Sequence, residues 1–103
     1  MFTVVETPTF RRLADEIWDE EERMDFVTWI AANAEAGDVI KGAGGLRKVR
    51  WTCSGMGKRG GARVIYFVRN DKGDLVLLLV YVKAKFDNIP IDTLRKLKEA
   101  IGA

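Results

Sequence analysis

An α+β fold, with helices packed on an antiparallel sheet, is what this sequence of 103 residues predicts. Three observations point to it. Behind Thr7 and behind Asp19, apolar residues recur at helical spacing; after Gly45 the period drops to two; and two apolar runs, Ala62 to Arg69 and Leu75 to Val82, are joined by the turn sequence Asn-Asp-Lys-Gly-Asp.

Phe2 to Val5 reads as a short first strand. Thr7-Pro8 has the form of a helix start, with Thr7 as N-cap and Pro8 at the first helical position. Phe10, Leu13, Ala14, Ile17 and Trp18 then define one apolar face. Asp19 followed by Glu22 predicts a capped second helix, whose acidic opening Glu20-Glu21-Glu22 suits the positive end of a helix dipole. Phe26, Val27, Ile30, Ala31 and Ala34 mark its buried stripe, and Gly37 is expected just past its end.

From Leu46 to Cys53, the residues Val49, Trp51 and Cys53 alternate with Lys48, Arg50 and Thr52, so a strand sends the cations to one face and the apolar set to the other. The next two strands are apolar on both faces, which requires a sheet centre covered on both sides. Asp92 is the expected cap of a last helix carrying Leu94, Leu97, Lys98 and Ile101. The predicted packing is therefore an antiparallel sheet with two N-terminal helices and a C-terminal helix, formed as a single domain over residues 1–103.

Charge is distributed unevenly. Residues 1–40 hold ten acidic and three basic residues, a balance of −7. Residues 41–63 hold seven basic residues (Lys41, Arg47, Lys48, Arg50, Lys58, Arg59, Arg63) and no acidic one, a balance of +7. The same stretch holds seven of the ten glycines, which lets backbone approach an anion closely. A basic patch of this density attracts polyanions, with nucleic acid as the leading candidate. No Walker motif is present, so Gly-Met-Gly-Lys-Arg-Gly-Gly reads as a mobile connector between strands rather than a nucleotide cradle. With one cysteine, Cys53, and no histidine, the chain has no internal disulfide, no cysteine-based zinc cage and no histidine base. Leu75 to Val82 is too short to cross a bilayer, and no basic-then-apolar leader opens the chain, so a cytoplasmic location and no membrane partner are expected. No cofactor or metal is expected.

The cations form a small platform if Arg63 shares the face of Lys48 and Arg50. Lys48 and Arg50 lie two apart on one strand, the glycine-rich loop turns the chain back, and Arg63 opens the neighbouring strand. Lys58 and Arg59 overhang from the loop, and Lys83 follows the third strand.

Gly-Asp-Val-Ile-Lys-Gly-Ala-Gly-Gly-Leu-Arg-Lys-Val-Arg-Trp, followed by the segment from Gly57 to Lys83, resembles the RelE/HigB family of bacterial toxins from toxin–antitoxin pairs, and within it the HigB-like branch. The resemblance spans most of the chain, with residues 37–83 its most specific part. It implies a RelE-like compact domain and a ribosome-dependent endoribonuclease that cuts translated mRNA and is silenced by a cognate antitoxin protein. Lys48 and Arg50 match the family's basic pair, Arg63 its arginine at the start of the next strand, and Lys83 the basic site after the third strand. The tail Val-Lys-Ala-Lys-Phe-Asp-Asn-Ile departs from RelE in lacking an extra arginine and a later tyrosine. Tyr66 and Tyr81 both read as core residues.

The chemistry suits those residue types. Cutting RNA through its own 2′-OH needs a proton removed, phosphoryl charge stabilised and a proton given to the leaving 5′ oxygen. Arg50 and Arg63 suit the second task, because a guanidinium stays charged and binds two phosphate oxygens. Lys48 is the candidate base and Lys83 the candidate acid. Arg47, Lys58 and Arg59 are candidate RNA contacts that bind phosphate without cutting it. Two other readings stand beside this one: a ParE-like poison of DNA gyrase, and a non-catalytic RNA-binding module.

Overall fold

The computed structural model describes residues 1–51, 61–82 and 89–101. Its elements follow the chain as β1 (Thr3–Glu6), α1 (Pro8–Ile17), α2 (Glu20–Ala32), β2 (Asp38–Val39), β3 (Arg47–Trp51), β4 (Ala62–Arg69), β5 (Asp74–Tyr81) and α3 (Ile91–Ala100). The five strands form one sheet in the order β1-β5-β4-β3-β2. β2 to β5 are antiparallel to their neighbours, and β1 joins the β5 edge in parallel, so the sheet is mixed. The chain leaves β1 into the helices and reaches β5 only after three antiparallel reversals, β2–β3, β3–β4 and β4–β5, so no tight hairpin joins β1 to β5 and the two can pair in parallel.

Both predicted N-terminal caps form. The Thr7 side chain accepts from Phe10 N, with Pro8 in the first turn of α1. At α2 the Asp19 carboxylate accepts from Glu22 N at 2.8 Å, and Glu22 Oε1 accepts from Asp19 N at 3.3 Å, a reciprocal capping box. The third cap differs from expectation. α3 opens at Pro90 with no side-chain cap bond, and Asp92 lies inside the first turn. There its charge still complements the helix dipole.

The two faces of the sheet carry two cores. On one, Val49, Ala62, Val64, Tyr66, Leu75, Leu77 and Val80 pack with Phe10, Ala14, Trp18, Phe26 and Ile30 of α1 and α2. An aromatic chain runs through this layer. Trp18 lies 5.5 Å from Phe26, Phe26 lies 5.5 Å from Trp51, and Trp51 lies 5.0 Å from Trp29. On the other face Leu46, Ile65, Phe67, Val76, Leu78, Leu79 and Tyr81 pack with Leu94 of α3. This two-sided burial is why β4 and β5 lack alternation.

One ion pair ties the helices to the first strand. The Arg23 guanidinium of α2, 8% exposed, donates to Glu6 Oε1 at 2.6 Å, and Arg11 of α1 approaches the same oxygen at 3.9 Å. The β4–β5 turn is closed by Arg69 and Asp74 at 2.9 Å, with Gly73 at φ +68°, a conformation that disfavours residues with a Cβ.

Gly37 has a different role from the helix terminator expected of it. α2 ends at Ala32 with Asn33 as its C-cap, and Gly37 lies further on, buried against Tyr66. A Cβ at Gly37 would sit 2.8 Å from both Cε1 and the hydroxyl oxygen of Tyr66. The Tyr66 hydroxyl accepts from Gly37 N at 3.0 Å and donates to Ala34 O at 2.7 Å. Burial pushes this phenol above its usual pKa, against smaller lowering effects from the Gly37 bond and Arg47. Tyr66 is therefore a core residue, as its sequence position suggested. Among the described residues, no helix is long and apolar enough to cross a membrane.

Candidate nucleic-acid interface

The interface begins with the alternation of β3. Val49 and Trp51 pack into the α1–α2 layer, so the intervening Lys48 and Arg50 project from the opposite face. Antiparallel pairing with β4 then places Lys48 opposite Ile65 and Arg50 directly opposite Arg63. Ile65 belongs to the second core, which confirms that Arg63, two residues earlier, shares the face of Lys48 and Arg50. Arg50 is exposed, while Lys48 and Arg63 are half-buried.

The third position on the row through Arg50 and Arg63 comes from β5. Arg63 pairs with Tyr81, so the row across the sheet reads Arg50, Arg63, Tyr81. Tyr81 is 8% exposed and belongs to the second core. It reaches that face because of an irregularity in the ladder. Tyr66 pairs with Leu77 but Ile65 pairs with Leu79, which leaves Leu78 as an extra residue, a β-bulge. After the bulge the alternation of β5 is reversed. Leu75 and Leu77 face α1 and α2 before it, and Leu79 and Tyr81 face α3 after it.

α3 covers this same face at its other end. Lys98 donates to Gly44 O and lies 5.1 Å over the Phe67 ring, and Leu94 and Leu97 pack into the second core. Phe67 is four residues along β4 from Arg63, so these anchors lie toward the other end of that strand.

The structure thus brings Lys48, Arg50 and Arg63 together. It does not bring Arg47 to them. Arg47 alternates to the opposite face, where its guanidinium donates to Gly37 O at 2.7 Å and reaches Glu35 O at 3.5 Å, bracing the segment after α2. Lys58, Arg59 and Lys83 lie outside the described residues. Tyr81 is the neighbour that sequence reasoning assigned only to the core. Its place beside Arg63 depends on the bulge, and the unbroken run Leu-Val-Leu-Leu-Leu-Val-Tyr has no alternation in which a reversal could be seen.

An α+β arrangement with helices on both faces of the sheet has counterparts among solved structures. No protein-family model matches the chain. The toxin RelE from E. coli, as a double mutant in the free state, superposes with a TM-score of 0.65 at 12% identity, covering 94% of this chain and 96% of that one. The toxin–antitoxin complex RelBE2 from Mycobacterium tuberculosis gives 0.56 at 18% identity, over 80% of this chain and 98% of the matched one. The conserved hypothetical protein HP0892 from Helicobacter pylori gives 0.59 at 14% identity, over 84% and 99%. The chain has the RelE-like fold, and at these identities the likeness is one of architecture.

Proposed function

We propose that this protein is the toxin of a toxin–antitoxin pair, of the HigB-like branch, and acts as a ribosome-dependent endoribonuclease on translated mRNA. The observation that carries the reading is the cross-strand pair Arg50 and Arg63 with Lys48 on the same face. Like charges directly opposed across a ladder repel each other. A phosphate between them turns that repulsion into binding, and a phosphorane-like transition state, richer in charge, gains more than the ground state does. Similarity in fold to RelE and to the toxin of RelBE2 supports the same reading, and the antitoxin seen in the latter complex supports a cognate antitoxin as partner.

In this mechanism the ribosome presents mRNA with its 2′-OH in line with the scissile phosphate. Arg50 and Arg63 hold the non-bridging oxygens, Lys48 in its neutral amine form takes the 2′-OH proton and the Lys83 ammonium protonates the leaving 5′ oxygen. The products are a 2′,3′-cyclic phosphate and a 5′-hydroxyl, and no metal or cofactor is drawn on. Lys58 and Arg59 neutralise phosphates on the ribosome or message. Replacing both with serine therefore reduces the log–log salt slope of binding by about 0.7–0.9 for each phosphate left without its cation. Alignment by the ribosome contributes on the order of 7–11 kcal/mol in favourable cases, which accounts for an enzyme that needs its host.

Primer extension on cellular mRNA after induction tests the proposal. Cuts at codon spacing within translated regions are expected. DNA damage without mRNA cuts would instead identify a gyrase poison, and neither outcome would leave an RNA-binding module.

A further inference from the structure

Thr7 does more than start α1. Its buried hydroxyl accepts from Phe10 N at 3.2 Å and donates toward Leu77 O at 2.8 Å, with Leu78 O at 3.5 Å. Its own N–H donates to Leu77 O at 3.3 Å. A hydroxyl has one proton and two lone pairs, so one side chain caps the helix and grips the neighbouring strand at once. The carbonyls it grips belong to Leu77 and Leu78, the residues at which the β5 bulge forms. The position is set by β1, whose last residue, Glu6, pairs with Leu77 and brings Thr7 alongside the extra residue.

The bulge decides what stands beside Arg63. If the pairing of Tyr66 with Leu77 continued without an extra residue, Arg63 would face Val80, and Tyr81 would turn toward α1 and α2. With the bulge, Arg63 faces Tyr81. Directly opposed residues have Cβ atoms roughly 5 Å apart, so the Tyr81 ring bounds Arg63 on the side away from Arg50. Bulges beside active sites commonly re-aim a side chain in this way.

We propose that Thr7 is a positioning residue of the basic platform: by holding the bulge carbonyls it keeps Tyr81 beside Arg63 and so fixes the direction of the Arg63 guanidinium. Thr7 itself touches no substrate. The activity readout of this proposal rests on the ribonuclease reading above; its structural readout does not.

The test uses Thr7→Val, which keeps the shape and removes the hydroxyl, and Thr7→Ser, which restores the hydroxyl. Because the valine variant also loses its helix cap, all three proteins are compared in enough osmolyte to equalise their melting temperatures. Cross-strand backbone NOEs are measured first. The parent and Thr7→Ser are expected to show Arg63 against Tyr81, whereas Thr7→Val weakens that signal or replaces it with Arg63 against Val80. On programmed ribosomes, Thr7→Val should lose about 10- to 100-fold in kcat with KM little changed, the scale of a misplaced catalytic group, and Thr7→Ser should recover it. An intact Arg63–Tyr81 register in Thr7→Val, or parental kcat at matched stability, overturns the proposal. If the parent cuts no mRNA, the ribonuclease reading fails, and the NOE comparison alone decides the role of Thr7.

Discussion

Arg50 and Arg63 stand directly opposite each other on adjacent antiparallel strands, two cations held side by side on one face of the sheet. Like charges so placed repel each other across the ladder. Replacing the exposed Arg50 with glutamine should therefore leave the protein as stable as the parent, or more stable by up to ~1 kcal/mol. The same change should lower mRNA cleavage. Chemical denaturation and cleavage assays on one preparation read both effects; a variant that loses stability in step with activity would mean Arg50 serves the fold.

Tyr66 belongs to the core, and its removal should be felt there. Tyr66→Phe leaves Gly37 N and Ala34 O without their partner and should cost about 1–3 kcal/mol, with cleavage per folded molecule unchanged. Burial raises the folded-state pKa of this phenol. The stability this represents is fully present below the ordinary tyrosine pKa of about 10 and is lost as pH rises beyond it toward the folded value. Unfolding measured across the alkaline range should show that loss in the parent and a smaller one in Tyr66→Phe.

Arg23→Ala leaves the Glu6 carboxylate without its close partner in a largely buried setting. With Arg11 still 3.9 Å away, the cost should fall near ~3 kcal/mol, the lower end for a broken buried pair. The double variant Glu6→Gln with Arg23→Met should recover part of that loss in denaturant titrations. A double variant no better than the single one would show that the charge left behind is not what destabilises the protein.

Trp51 adjoins the platform in sequence but faces the other core, set between Trp29, tilted at 40°, and Phe26, edge-on at 72°. Trp51→Ala should therefore cost about 3 kcal/mol in stability while RNA affinity of the folded variant is retained. A stable variant with weakened RNA binding would place Trp51 on the nucleic-acid surface.

The parts of this fold that local chemistry dictates were legible in the sequence. Thr7-Pro8 and Asp19-Glu22 announce their caps, and β4 begins and ends where its apolar run does. The alternation of Lys48 and Arg50 with Val49 and Trp51 was enough to place those two cations on one face, while the face of Arg63 awaited the β3–β4 register. What escaped depends on contacts distant in sequence. β2 has two residues, too few to show a period, and pairs with the edge that β3 offers it. Gly37 reads as a helix terminator until Tyr66 arrives from β4 to fill the space beside it. Arg47 has the look of one more exposed cation, and only the course of the chain after α2 brings the Gly37 carbonyl within its reach. The bulge escaped because both faces of β5 are buried, and it is held by a threonine some 70 residues away.

The most direct test of the account concerns Arg63. Ribosomes programmed with a defined message are mixed with excess parent or Arg63→Ala protein, and single-turnover cleavage of the A-site codon is followed alongside the melting temperature of each protein. The account predicts cleavage by the parent that is blocked by a 2′-deoxy nucleotide at the cut site, and a rate about 10²- to 10³-fold lower for a folded Arg63→Ala, as for loss of one charge-stabilising donor. A folded Arg63→Ala protein that cuts as fast as the parent would contradict it.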